Sequence, residues 1–157
     1  MSDLPVVWVD ADACPFKEEI ISIAKSFKLN INFVSNTPIK SLSGRKGIEN
    51  LVTTADFDAV DHFMVENANL ADFAVTRDLE LAKRLLEKKV HVCGFLGKAY
   101  DKAQLAEAIG NRNLHTLMRE EQGGFSDGAK KGKQVSKQEK ISSFKNQFHN
   151  FLKKRLI

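Results

Sequence analysis

The sequence predicts a three-layer α/β/α fold with a mostly parallel central sheet and further helices at its C-terminal end. Three observations carry this reading. The apolar runs at 6–9, 31–34, 71–76 and 90–93 are short and largely apolar throughout, as strands covered on both faces of a parallel sheet are. Between them lie stretches whose apolar residues recur at helical spacing, joined by short polar connections. A chain of 157 residues that is 43% hydrophobic can bury one good core, which points to one α/β domain.

The elements follow in order. Val6-Val7-Trp8-Val9 is an apolar strand that breaks into Asp10-Ala11-Asp12-Ala13-Cys14-Pro15. Pro15 suits a helix first turn, and Phe16, Ile20, Ile23, Ala24 and Phe27 then share one helical face. Ile31-Asn32-Phe33-Val34 is the second strand, stopped by Ser35-Asn36-Thr37-Pro38. Residues 39–47 read as a polar loop carrying Lys40, Gly44, Arg45, Lys46 and Gly47, and Ile48, Leu51 and Val52 as a short helix. Phe57-Asp58-Ala59-Val60 reads as a weak strand leading into Asp61, with Met64, Val65 and Ala68 on a helix behind it. Ala71–Thr76 is the next buried strand, Leu79, Ala82, Leu85 and Leu86 the stripe of a further helix, and Val90–Cys93 the last strand. Asp101-x-x-Gln104 and Ser136-x-x-Glu139 have the form of capping boxes. The first opens a helix with Leu105, Ala108 and Ile109, and another helical stretch carries Leu114, Leu117 and Met118. The second capping box opens a helix with Ile141, Phe144, Phe148, Phe151 and Leu152 on one face. Residues 1–121 are thus expected to form the α/β domain and 122–135 a flexible basic linker. Residues 136–157 form an amphipathic helix whose apolar stripe needs the body, or a second copy in a homo-oligomer, to cover it.

Charge is unevenly divided. Residues 129–157 hold nine Lys/Arg and one acid, a balance of +8, while residues 1–128 hold 15 basic and 19 acidic residues, a balance of −4. An acidic body with a basic tail suits a body that gathers carboxylates on a metal and a tail that meets phosphates. A tail that is basic only for solubility is the plainer alternative. No apolar run approaches the roughly 20 residues that span a bilayer, and Met1–Pro5 lacks the n- and h-regions of a signal peptide. A cytoplasmic location is expected. Cys14 and Cys93 form no Cys-x-x-Cys pair and read as small buried thiols, and His62, His91, His115 and His149 have no metal-ligand spacing.

The aspartates carry the chemistry. Asp10 and Asp12 stand at the carboxyl end of the first strand, where open α/β sheets place their ligands. In the usual doubly wound order, the 71–76 strand lies beside the first at the switch point. Asp78 then joins Asp10 and Asp12, and Asp61 enters from the adjoining helix. Carboxylates gathered so closely repel one another without a counter-charge; Mg²⁺ or Mn²⁺, held by hard oxygen ligands, is the natural one. Asp61 and Asp78 also read as simple helix caps, and Asp72, at the far end of its strand, as structural. Ser35, Asn36 and Thr37 at the second strand end, and Lys40, Arg45 and Lys46 in the loop beyond, are candidates for touching a substrate.

Val-Asp-Ala-Asp-Ala-Cys-Pro at 9–15, Asn36-x-Pro38, Phe57-Asp58-x-x-Asp61 and Ala71-Asp72-x-x-Val75-Thr76-x-Asp78-x-x-Leu81-Ala82 resemble the YaiI/YqxD family of uncharacterised bacterial proteins. That family is grouped with PIN-like nuclease domains. The resemblance covers nearly the whole chain, including Gly123-Gly124 and the closing Phe-rich helix. It departs at His62-Phe63, where Asn-Glu is frequent, and in a longer, more basic loop after Gly124. It implies a PIN-like fold with Asp10, Asp12, Asp61 and Asp78 as the acidic constellation of a divalent-metal-dependent nuclease acting on single-stranded RNA. Two other readings stand beside it. One is a HAD-type phosphatase with Asp10 as nucleophile, Asp12 as general acid and Ser35 as phosphate-binding hydroxyl. The other is a non-catalytic RNA-binding module with a degenerate acidic site.

Overall fold

The computed structural model describes residues 4–110 and 136–156. Five strands, β1 (Val7–Asp10), β2 (Ile31–Ser35), β3 (Ile48–Val52), β4 (Phe73–Val75) and β5 (His91–Cys93), form one parallel sheet in the order β3-β2-β1-β4-β5. The helices are α1 (Lys17–Ser26), α2 (Ala59–Asn67), α3 (Leu79–Glu87), α4 (Lys102–Gly110) and α5 (Lys137–Leu156). The expected helix at 114–118 and linker at 122–135 lie outside the described residues.

β1 is the central strand, and its alternation divides the core into two. Val7 and Val9 face a cluster with Ile31, Phe33, Phe73 and Val75, covered by α1 and α5. Trp8 faces the other way, into Val34, Ala74 and Val92, covered by α2, α3 and α4. Those two faces explain why the strand sequences are apolar throughout. The architecture is the three-layer α/β/α arrangement that the alternating pattern predicts.

α5 packs its aromatic stripe against the body. Phe144, Phe148, Phe151 and Leu152 are all buried; Phe144 stacks on Phe16 at 4.5 Å, and Phe151 meets Phe73 edge-on at 5.5 Å. Gly97, at φ +82°, lies so close to α5 that a Cβ there would stand 2.8 Å from Gln147 Cβ. The helix start is held by reciprocal bonds: Glu139 N–H donates to Ser136 Oγ (3.1 Å) and Ser136 N–H to Glu139 Oε1 (3.0 Å), the capping box that this spacing predicts.

Two elements differ from the sequence reading. Residues 48–52 are strand β3, not a helix. Their i, i+3, i+4 apolar spacing mimics a helical face, but the open edge of β2 supplies a ladder from Ile31↔Ile48 to Ser35↔Val52. Asn50 reinforces that edge by donating to Phe33 O and accepting from Ile39 N–H. Residues 57–60 are not a strand but a turn and the start of α2, whose first turns bury Val60 and Met64 on one side; Phe57 is left 100% exposed.

Asp72 sits at the amino end of β4. It is buried and accepts from Val6 N–H, Trp8 Nε1–H and Asn69 N–H, all at 2.9–3.0 Å. The Val6 and Trp8 donors tie β1 to β4 and the Asn69 N–H closes the turn before β4, a structural role. No described helix is long and apolar enough to cross a membrane.

Candidate acidic site at the sheet switch point

The chain runs from β1 outward through β2 to β3, then returns to the other side of β1 for β4 and β5. The switch point therefore lies between the carboxyl ends of β1 and β4, where loops diverge and leave a crevice. Asp10 is the last residue of β1. Thr76, fully buried just past β4, donates from its hydroxyl to Asp10 Oδ2 at 2.7 Å and accepts from Asp78 N–H at 3.0 Å. One hydroxyl thus links the two strand ends. Asp78 caps α3, accepting from the N–H groups of Glu80 and Leu81. Both capping bonds use Oδ1, so the cap does not consume the second carboxylate oxygen. Asp61 enters from the first turn of α2 and lies within hydrogen-bonding reach of Asp78.

The electrostatics report how tightly these groups are gathered. Burial, then the charges of Asp78 and Asp10, push the Asp61 carboxyl up to about 7. Burial also raises Asp10; the Thr76 bond opposes this, and the charges of Asp78 and Asp12 add to it. Arg77 and Arg84 bring the compensating charge, Arg77 to Asp10 and Arg84 to Asp61. Arg77 also lies over the Phe95 ring at 5.6 Å.

Asp12 stands apart. It is exposed and accepts from Asn36 N–H with both oxygens, at 3.0 and 3.3 Å. Asn36 in turn donates from its side chain to Thr54 O and Thr53 Oγ1, so the ends of β1, β2 and β3 are stitched together. Asp12 touches the cluster through its charge on Asp10.

Among the described residues, no group of three or more His, Cys, Asp or Glu side chains is set to hold a metal ion. The donor set nonetheless fits a hard divalent cation in kind: carboxylate oxygens from β1, α2 and α3, with two of the acids disfavoured as anions in its absence.

The other predicted residues are spread more widely. The Ser35 side chain is fully buried, donates to Thr37 O at 2.7 Å and accepts from Asn50 Nδ2 at 3.0 Å. Thr37 is exposed on the loop beyond. Lys40 begins a 3₁₀ turn at 40–42. Arg45 and Lys46 precede β3, whose Ile48 pairs with Ile31. Lys46, beside Gly47 whose carbonyl accepts from Ile31 N–H, therefore lies at the amino ends of the strands, the opposite end of the sheet from Asp10. The Arg45 guanidinium instead reaches Glu18, in the first turn of α1, through a two-pronged ion pair at 2.9 and 3.0 Å.

Sequence reasoning missed Thr76, Arg77 and Arg84. A hydroxyl directly after a buried strand, two residues before an N-cap aspartate, is the signal that could have found Thr76. Arg77 and Arg84 have no local signature, since they matter only through the acids that the fold brings to them.

A family model described as "Uncharacterized BCR, YaiI/YqxD family" matches residues 8–154. Curated relatives include a UPF0178 protein of Agrobacterium fabrum, 35% identical over 76% of this chain and 78% of its own length. A UPF0178 protein of Rhodospirillum centenum is 36% identical over 73% of each chain. One from Marinomonas is 31% identical over 96% of this chain and 98% of its own. No solved structure gives a significant match. With a match that takes in β1 through α5 and relatives of this similarity along most of its length, the chain belongs to the YaiI/YqxD family.

Proposed function

We propose that the protein is a divalent-cation-dependent nuclease that cleaves phosphodiesters of single-stranded RNA. The observation that supports it is the convergence of Asp10, Asp61 and Asp78, from three separate elements, at the switch point of a parallel sheet. Their mutual repulsion is only partly offset by Arg77 and Arg84, so a further positive charge beside them would stabilise the fold. Asp10, Asp61 and Asp78, with Asp12 beside them, would hold Mg²⁺ or Mn²⁺. A cation so held neutralises phosphodiester charge and acidifies a bound water. The protein's own groups do the positioning. Thr76 fixes the orientation of the Asp10 carboxylate, and Arg77 and Arg84 offer guanidinium donors suited to phosphate oxygens. The resemblance to PIN-like nucleases points the same way, and Lys130, Lys131, Lys133 and Lys137 in the sequence offset the repulsion between an acidic body and a polyanion.

The phosphatase alternative asks Ser35 to present its hydroxyl to a phosphate. That hydroxyl is buried and engaged with Thr37 O and Asn50, so the nuclease reading stands ahead of it.

The test is cleavage of an unstructured RNA oligonucleotide with Mn²⁺, with excess chelator, and with the Asp10→Asn variant. Cleavage is expected only in the wild type with metal. Cleavage that persists in chelator, or a fluoroberyllate adduct trapped on Asp10, would overturn the proposal.

A further inference from the structure

Phe57 stands out on the rim of the acidic site. Its side chain is 100% exposed, whereas every other phenylalanine among the described residues is buried or half-buried. The ring is open to water, yet the turn beneath it is fixed on both sides. Thr53 N–H donates to Ser35 O at 2.9 Å, and the Asn36 side chain donates to Thr54 O at 2.9 Å. Thr54 Oγ1 donates to Asp56 Oδ2 at 3.1 Å, and Asp56 O accepts from Ala59 N–H at 3.2 Å as α2 begins. One end of the turn is thus anchored on Asn36, whose N–H donates to Asp12, and the other on α2, which carries Asp61. At about 1.5 Å of rise per residue, Phe57 and Asp61 lie about 6 Å apart along the helix axis. An aromatic ring on an anchored turn is presented to a ligand with little further ordering to do.

The neighbours of the ring narrow what can cover it. Asp56 and Asp58 flank it in sequence, and both are exposed. His62 stands 3.3 Å from Asp58, an ion pair only when the imidazole is protonated. These carboxylates repel phosphates and anionic lipid headgroups. Across a twofold axis they would set the acids of two copies against each other. A nucleobase meets neither obstacle. It is flat and uncharged, its amino groups donate to carboxylates, and any base offers a π-face to an aromatic ring.

We infer that Phe57 is a stacking platform for a base of the single-stranded RNA, beside the phosphodiester held at the acidic site. The inference rests on the nuclease reading for its ligand, but its test does not require cleavage. Binding of a fluorescent single-stranded RNA is measured by anisotropy with Ca²⁺ present, across a salt series, for the wild type, Phe57→Ala and Phe57→Trp. Leu70→Ala is the control: Leu70 is also exposed, at 69%, but precedes β4 at the amino ends of the strands. A strand of the same length with abasic positions is titrated in parallel.

Phe57→Ala is expected to lower affinity by about 5- to 150-fold, the range of one base–aromatic stack. Its salt slope stays that of the wild type, because the ring neutralises no phosphate. Phe57→Trp and Leu70→Ala are expected to bind within a few-fold of the wild type, and the wild type and Phe57→Ala to bind the abasic strand alike. Melting temperatures match, since an exposed ring gives up no packing. Unchanged affinity in Phe57→Ala, an equal loss on the abasic strand or in Leu70→Ala, or no binding by the wild type would each overturn the inference. So would a wild-type dimer that Phe57→Ala dissociates while its RNA affinity is unchanged. If binding depends on Phe57 yet Mn²⁺ supports no cleavage, the nuclease reading fails and the platform stands; if Mn²⁺ supports cleavage and Phe57→Ala binds unchanged, the reverse holds.

Discussion

Replacing Asp61 by asparagine isolates the electrostatic cost of the acidic site. The Asp61 carboxyl is lifted from 3.8 to about 7, by burial first and by Asp78 and Asp10 next. Between those pH values the folded protein holds a proton on Asp61 that the unfolded chain has released. Its contribution to stability is fully present below 3.8 and is lost as pH rises through 7. At about 1.4 kcal/mol for each tenfold change in proton affinity, the full effect is about 4 kcal/mol. Asp61 is only half-buried, and solvent screening brings this to about 1–2 kcal/mol. The asparagine amide is neutral at every pH and donates toward Asp78 as the protonated carboxyl does. Thermal melts followed by circular dichroism, in chelator, at pH 5 and pH 8.5, read the difference. At pH 5 roughly a third of this effect is already present, so the variant is expected to melt higher by only about 1–3 °C. At pH 8.5 the variant is expected to melt higher by roughly 2–8 °C, at about 2–4 °C per kcal/mol for a chain of this size. A variant that shifts the melt equally at both pH values would refute the crowding of carboxylates on which the argument stands.

Other perturbations follow from the same geometry. Thr76→Val keeps the shape but removes the donor to Asp10 and the acceptor of Asp78 N–H; a loss of about 1–3 kcal/mol is expected in urea denaturation, larger at pH 8 than at pH 5 because the ionised Asp10 loses most. Asp72→Ala leaves the N–H groups of Val6, Trp8 and Asn69 without their acceptor and is expected to cost at least about 3 kcal/mol, with a changed emission from Trp8, the single tryptophan of the chain. Phe148→Ala empties the centre of the α5 interface and should cost about 3–5 kcal/mol in the same denaturation assay. The Cys14 thiol, pushed up to about 11 by burial, should resist iodoacetamide at pH 7.5 in the folded protein and react readily once urea unfolds it.

What the sequence by itself determined is the part governed by local pattern. Apolar runs bounded by polar turns mark β1, β2, β4 and β5, and helical spacing marks α1, α3 and α5, because periodicity is a property of neighbouring residues. The doubly wound order followed from the alternation, and with it the placing of Asp10 and Asp78 at adjacent strand ends. The capping box at Ser136 and Glu139 was legible for the same reason. Tertiary structure decided the rest. Ile48, Leu51 and Val52 fit either a helix or an edge strand, and only the unpaired side of β2 settled it as a strand. Phe57–Val60 became a turn and the first turn of α2, with Val60 buried beside Met64. The basic residues of the 39–47 loop look like neighbours of Ser35 in sequence, yet β3 begins at the opposite end of the sheet and carries Lys46 with it, while Arg45 is taken up by Glu18 of α1. Thr76 became a link between Asp10 and Asp78 only when strands 66 residues apart in sequence met, and Asp61 acquired a carboxyl near 7 only when α2 was buried beside Asp78 and Asp10. Hydrogen bonds and charge repulsion depend on distances through space, and spacing along the chain fixes those distances only within a single element.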